Sequence, residues 1–240
     1  MMKKLLLILV LFLSFFNSIQ AQSNAEFFEQ SNEFLQNNVN SEGKVNYSRL
    51  KRSPGELLYI LNNISTLKQT SAKNNEKMAF WINVYNLTVI KNIVQNYPLR
   101  TVNDVPDFFD QKSNIADDKL SLNDVEEILK TLTDNQGINF ALSKGKLGSP
   151  RLLNAAYLPE TLDYQISLQV KTEINKPGFI KVDKNNKIIE INHIFSQYKS
   201  EFVTHYFNEI DFINVFLEKK IDSKLKISYL KDDLALNESK

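Results

Sequence analysis

The sequence of 240 residues contains no cysteine, so it can form no disulfide bond and can carry out no reaction that needs a thiolate. Histidine occurs only at positions 193 and 205, and no spacing typical of zinc ligands appears in the sequence. Glycine and proline occur six times each, and no segment resembles a flexible linker. Walker and dinucleotide-binding glycine patterns are also missing. We therefore expect a single domain that holds neither a metal ion nor a cofactor.

Long apolar runs are missing everywhere except at the N-terminus. Two lysines there precede a largely apolar stretch over residues 5–16, and Ala21 supplies the small residue that signal peptidase requires. The stretch has about a dozen residues, whereas a helix needs about 20 to span the hydrocarbon core of a membrane. The pattern predicts a secretory signal peptide over residues 1–21, whose removal leaves one domain over residues 22–240. We expect an exported protein, periplasmic or extracellular, with no stable membrane span after this cleavage.

An excess of charge of one sign is missing too. The chain has 29 basic and 28 acidic residues, and removal of the two lysines in the signal peptide changes the formal net charge from +1 to −1. A nucleic-acid partner would require a basic surface, so the sequence argues against one. The partners that we expect are a small molecule, a peptide or a protein of the cell envelope.

What the sequence does contain is apolar residues at helical spacing. The longest such segment begins near Glu76 and runs to about Tyr97, where Pro98 ends it. Because this segment is apolar around most of its circumference, we expect it at the centre of the fold. The spacing predicts further helices over residues 25–39, 57–64, 125–129, 193–202 and 210–217, with capping boxes at residues 53–56 and 121–124.

Strand-like patterns are fewer and shorter. The apolar run at residues 138–142 has the length of a strand, and residues 226–230 predict a last strand. Residues 179–191 contain two β-prone halves around a polar turn, which predicts a hairpin. Together these patterns predict an α+β fold, a mainly helical single domain with a small antiparallel sheet or hairpin around a buried central helix.

Several short motifs lie in the central segment and in the segments after it, and they resemble the motifs of a known family in the same order. Residues Glu76–Asn86, with the sequence EKMAFWINVYN, and Asn96–Leu99 resemble the signature helix and its exit in the family called domain of unknown function 547. Further blocks with counterparts in that family are Asp104–Phe109, Leu120–Glu126, Ile138–Leu142, Asn154–Tyr157 and Ile194–Phe202. The chain is identified as a divergent member of this family, and the resemblance covers nearly all of the sequence after residue 21.

The resemblance implies where a functional site lies and how this chain departs from it. Family members usually carry two cysteines after the block at 138–142, one before a glycine and one before a proline, and they often carry two histidines nearby. Two acids of the pattern are retained. The corresponding positions here are Lys144 and Ser149 in place of the thiols, Glu127 and Asn139 in place of the histidines, and Glu76 and Glu126 as the retained acids.

Because the thiols and the histidines are missing together, we expect a catalytically degenerate protein that acts by binding or interaction. One alternative is a hydrolase or transferase in which Ser149 replaces the thiol, with His193, His205 or a carboxylate as its partner. A second alternative is a purely structural component of the cell envelope. Lys144 lies in a glycine-rich loop, so we expect it to be solvated rather than to act as an amine nucleophile.

Polar residues on the central helix need partners if that helix is buried. We expect Asn83 and Asn86 to bond the backbone of neighbouring loops, which is a structural role. Asp104, Asp107 and Asp110 are spaced by three residues, but they fit no metal-binding loop pattern and are predicted to be ordinary loop acids.

Overall fold

The structure, a computed structural model, describes residues 24–64, 73–115 and 118–239. The predicted signal peptide at residues 1–21 lies outside the described residues. Helix α4 (Asn74–Asn96) is the longest described helix, and every side chain from Met78 to Ile90 is buried. Pro98 follows its end, and the proline ring prevents the helix from continuing. The buried central helix that the sequence predicts is confirmed.

Four helices surround α4. They are α1 (24–38), α2 (Tyr47–Arg52), α3 (Gly55–Asn63) and α5 (Leu122–Leu132). Helices α2, α3 and α5 contact α4 directly. Helix α1 reaches it through Phe27, whose ring centroid lies 5.1 Å from that of Phe80. This arrangement explains why α4 is buried on all sides.

Of the two predicted capping boxes, one is confirmed and the other is wrong. At the start of α5, the Ser121 hydroxyl accepts from the Asp124 N–H and the Asp124 carboxylate accepts from the Ser121 N–H, as predicted. The prediction at Ser53 is wrong. Ser53 ends α2 by donating its N–H to the Arg49 carbonyl, and α3 begins at Gly55 without a side-chain cap.

A second group of helices follows along the chain. It contains α6 (Leu162–Ile174), α7 (Ile194–Gln197), α8 (Lys199–His205) and α9 (Glu209–Phe216). These helices enclose a cluster of phenylalanine rings whose centroids lie 4.8–6.5 Å apart, formed by Phe140, Phe179, Phe195, Phe202 and Phe212. None of the described helices combines the length and the apolar character that crossing a membrane requires.

The strands form two small sheets. Strands β1 (Ser113–Ile115) and β2 (Asp118–Leu120) make an antiparallel pair. Strands β3 (Ile180–Asp183) and β4 (Ile188–Ile191) form the predicted antiparallel hairpin. The predicted last strand is β5 (Lys226–Tyr229), and it pairs with β4 in the parallel direction. The α+β class and the mainly helical content are confirmed, while the parallel pairing is a tertiary detail that the hairpin pattern did not predict.

Tertiary contacts override two local predictions. Residues 138–142 do not form a strand: a 3₁₀ helix spans Gln136–Phe140, and the Asn135 side chain caps it by accepting from the Gly137 N–H. A short apolar run is equally compatible with a buried helical turn, so its pattern could not decide between them. The helix predicted over 193–202 is divided at Tyr198, whose backbone leaves the helical region.

Candidate functional site

Two asparagines on α4 hold the loops that form the site. Asn86 donates from Nδ2 to the Ala141 carbonyl and accepts from the Ser143 N–H, each at 2.9 Å. Asn83 bonds Tyr157 in the same two-way manner, at 2.8 Å to the carbonyl and 2.9 Å from the N–H. Both asparagines are buried, so these bonds satisfy groups that cannot reach water. The structural role predicted for them is confirmed, and Asn86 fixes the start of the loop beyond residue 143.

Lys144 follows directly in that loop, and it is buried rather than solvated as expected. Its Nζ forms an ion pair with Glu126 of α5, and each side chain is 8% exposed. Two hydroxyls donate to the same carboxylate, Tyr85 to Oε1 at 2.8 Å and Tyr198 to Oε2 at 2.9 Å. A buried ion pair is tolerated when hydrogen bonds compensate for the lost water, and these contacts provide that compensation. We call these four residues the Lys144 cluster.

Aromatic rings enclose the ammonium group of Lys144. Its Nζ lies 5.2 Å from the ring centroids of Tyr85 and Phe109 and 5.6 Å from that of Tyr198, within the range of cation–π attraction. Burial lowers the pKa of Lys144, and the attraction of Glu126 offsets only part of this effect. Burial raises the pKa values of both tyrosines well above their ordinary value, and the neighbouring carboxylate adds to the increase. Both hydroxyls therefore stay protonated and act as donors.

A small cavity borders the Lys144 cluster. Its volume is about 10 Å³, close to the minimum that one water molecule needs. A substrate has no room beside the Lys144 amine in this arrangement. The residues that line the cavity include Lys144, Ser149, His193, Tyr198 and Asp232.

Ser149, at the second thiol position implied by the resemblance, is engaged by backbone groups. Its Oγ accepts from the Lys144 N–H at 3.3 Å and donates to the Lys146 carbonyl at 2.7 Å. The Pro150 carbonyl lies 3.4 Å away as a further acceptor. Among the described residues, no histidine or carboxylate bonds this hydroxyl. Ser149 closes the turn over residues 144–149 and lacks the base that a serine nucleophile requires.

A segment near the C-terminus, residues 232–237, supports the turn at 144–149 from behind. The backbone N–H groups of Leu147 and Gly148 donate to carbonyls of this segment, each at 2.8 Å. A Cβ atom at position 148 would lie 2.6 Å from the Asp233 backbone nitrogen, which cannot move aside as a side chain can. Only glycine permits this close approach, so the turn and the C-terminal segment are matched to one another.

Two other predicted site residues are directed elsewhere. Glu127 is exposed and pairs with Lys130 at 2.8 Å. Asn139 is buried, but its Nδ2 donates to Glu201 Oε2 at 2.8 Å instead of contacting the Lys144 cluster. The structure thus joins Lys144 with Glu126 and, through the backbone, with Ser149. Asn139 lines the small cavity beside Lys144 and Ser149 without bonding either of them, and Glu127 lies away from this cavity.

Glu76 lies near the opposite end of α4. It precedes Tyr85 by nine residues in the sequence, which places it about 14 Å away along the helix axis. Its Oε1 accepts from Asn24 Nδ2 at 2.6 Å, and it lines a separate cleft of about 660 Å³. Glu76 is therefore not the acid that faces Lys144.

The two histidines also remain apart from a nucleophile. His193 precedes α7 and lines the small cavity, but no hydrogen bond joins it to Ser149. His205 is exposed at the end of α8. Within the described ranges, no group of three histidine or acidic side chains is placed to hold a metal ion.

Two open clefts lie beside the turn at 144–149. Cleft A, with a volume of about 520 Å³, is formed by residues 41–44, the turn and the C-terminal part of α6. Cleft B, of about 370 Å³, extends to residues 176–181 and 230–233. The two clefts adjoin, because both are lined by Leu147, Ser149, Glu173 and Lys176.

The sequence did not identify Tyr85 and Tyr198 as residues of the site. Their contacts with Glu126 join residues 41 and 72 positions apart in the chain. One signal was present, because a tyrosine on a buried helix needs a partner for its hydroxyl and Glu126 falls on the core side of α5. That signal does not identify which acid the tyrosine meets.

Residues 69–172 match the model of the protein family described as Protein of unknown function, DUF547. The matched range contains α4, α5 and the turn at 144–149, together with every block of the resemblance except Ile194–Phe202. This segment, 104 of the 240 residues, is therefore similar to DUF547 proteins, although the chain contains no cysteine. Comparisons with curated proteins and with solved structures give no match.

Proposed function

We propose that the protein is a catalytically degenerate relative of DUF547 proteins that binds a partner in clefts A and B and does not transform it. One observation carries this proposal: each group that occupies a thiol position of the family is committed to a contact within the chain. The Lys144 ammonium is paired with Glu126, and the Ser149 hydroxyl is donated to a backbone carbonyl. The positive charge of Lys144 thereby balances the negative charge of the retained acid Glu126, which is then not free to orient a catalytic base.

The alternative of a Ser149-dependent hydrolase or transferase has weaker support. A serine nucleophile needs a base within hydrogen-bond reach and a third group that orients the base. His193 lines the same small cavity as Ser149, but the Ser149 hydroxyl is turned toward the backbone. Clefts A and B, by contrast, are open and large enough for a ligand.

Activity assays with the purified chain test the proposal. Offered libraries of peptides, esters and amides, the wild-type protein is expected to show no turnover above the uncatalysed rate, and Ser149→Ala is expected to behave identically. Ser41→Ala is the matched control, because it removes a hydroxyl from the wall of cleft A without touching the turn. Turnover that Ser149→Ala abolishes and Ser41→Ala retains would show that the protein is an enzyme.

We also propose that the protein acts outside the cytoplasm, because its first 21 residues have the pattern of a secretory signal peptide. N-terminal sequencing of the protein produced in a bacterial host is expected to give a mature chain that begins near Gln22. A chain that keeps its first 21 residues and remains in the cytoplasm would refute this part of the proposal.

A further inference from the structure

We infer that clefts A and B, together with the exposed side of α6, bind an extended segment of another protein that carries acidic residues next to apolar ones. This inference rests on the proposed function and names the chemistry of the partner. Six basic and three acidic residues line the two clefts, although the whole chain carries a formal net charge of only +1. Positive charge is therefore concentrated at this place on the surface.

Cleft B provides the free positive charge. Lys176 and Lys181 lie in the stretch that follows α6, Lys231 follows β5, and all three are exposed around this cleft. None of them forms an ion pair with another described residue. No ion pair occupies these lysines, although Lys176 also attracts Glu173, so we place the acidic part of the segment in cleft B.

Three basic residues of cleft A, Lys44, Lys146 and Arg151, are already paired, and the fourth, Lys176, is shared with cleft B. Lys44 contacts Glu42 at 2.7 Å, and Arg151 Nε lies 3.5 Å from Glu173 Oε1. Burial raises the pKa of Glu173, and the positive charges of Lys176 and Arg151 offset only part of this increase. Cleft A therefore attracts acidic side chains of a ligand less strongly than cleft B does. We place the middle of the bound peptide in cleft A.

An apolar surface continues from cleft A along α6. Tyr164 and Leu168 are 69% and 48% exposed, and they lie one turn apart in line with Thr172 of the cleft wall. Leu147, 41% exposed, lies at the junction of the two clefts. Exposed aromatic and aliphatic side chains beside a basic cleft favour a partner with apolar side chains, which a peptide has and an acidic polysaccharide lacks.

The dimensions suit a short peptide. Tyr164 and Lys176 are twelve residues apart, which corresponds to roughly 18 Å along α6 and its C-terminal extension. An extended peptide covers this distance with about six residues at about 3.3 Å each. One such segment can contact the apolar side of α6 at one end and the lysines of cleft B at the other.

The test uses the full chain and fluorescein-labelled synthetic peptides in which a run of glutamates adjoins a run of leucines, made in both orders. In anisotropy titrations, the substitutions Lys176→Glu, Lys181→Glu and Lys231→Glu combined are expected to weaken binding by about tenfold or more. The matched control combines Lys119→Glu, Lys219→Glu and Lys224→Glu, which are exposed elsewhere and change the net charge equally. Binding by this control is expected to stay within about twofold of wild type, because none of its three residues lines either cleft and salt screens exposed charges.

The apolar part has its own pair of variants. Tyr164→Ser combined with Leu168→Ser is expected to weaken binding by about tenfold, because the complex would bury less apolar surface. Phe207→Ser removes a side chain that is 92% exposed elsewhere, and it is expected to have no effect. All of these positions lie on the surface, so circular dichroism is expected to show unchanged folding.

Three results would overturn the inference. The first is that neither peptide binds the folded protein. The second is that the matched control variants weaken peptide binding as much as the test variants do. The third is that homopolymeric RNA or polygalacturonate binds more tightly than the peptides and that the Tyr164 and Leu168 substitutions do not change this binding. Such results would leave the proposed binding role intact if another ligand occupied the clefts. Enzymatic turnover that depends on Ser149 would remove that role itself.

Discussion

Replacing Lys144 with methionine is expected to reduce the free energy of unfolding by about 3–5 kcal/mol. The substitution leaves the Glu126 carboxylate buried without its cation, while methionine fills nearly the same volume. Urea denaturation followed by circular dichroism measures the change. The control is Lys130→Met, which breaks exposed contacts with Glu127 and Glu201 and is expected to cost at most about 1 kcal/mol.

A double-mutant cycle decides whether the ion pair is the cause. Glu126→Gln removes the charge and keeps an amide oxygen that can accept from Tyr85 or Tyr198. Combined with Lys144→Met, it is expected to recover part of the stability that Lys144→Met loses alone, because no unpaired charge then remains buried. If the two losses simply add, Lys144 and Glu126 are not coupled, and our description of the cluster is wrong.

Replacing Asn86 with alanine is expected to reduce the free energy of unfolding by about 2–4 kcal/mol. The change leaves two buried backbone groups unpaired, the Ala141 carbonyl and the Ser143 N–H. It also releases the start of the loop that carries Lys144. Thermal and urea denaturation measure the effect on stability.

The same helix supplies the control for Asn86. Asn96→Ala removes an exposed side chain that only donates to the Asn92 carbonyl one turn earlier, and it is expected to change stability by less than about 0.5 kcal/mol. If both alanine variants have equally small effects, the amide of Asn86 does not hold the loop in place. The structural role that we assign to it would then have to be withdrawn.

Prediction of the fold succeeded where local pattern and burial agree. Helix α4 and the β3–β4 hairpin were readable because their apolar spacing and turn residues favour one conformation over many residues. Prediction failed at residues 138–142, where four apolar residues and one asparagine fit a strand and a helical turn equally well. It also failed at Tyr198, where a contact with a distant acid coincides with the break between α7 and α8.

The candidate site was only partly predictable. The resemblance placed Lys144 and Ser149 correctly in one turn, and it retained Glu126 as an acid near them. It also implied Glu76, Glu127 and Asn139 as further positions of the site. Glu76 and Glu127 lie in other environments, and Asn139 lines the small cavity beside Lys144 but bonds Glu201 instead. A resemblance identifies the positions at which family members carry their functional side chains. It does not identify the contacts that a different residue makes at the same position.

The sequence by itself determined that no thiol chemistry is available and that the apolar residues build a mainly helical α+β fold. These conclusions follow from composition and from spacing along the chain, which do not depend on distant contacts. Only the tertiary structure decided that Lys144 is buried and paired with Glu126, and that lysines from two segments meet around cleft B. The physical reason is that desolvation and charge pairing depend on which residues the fold brings together in space.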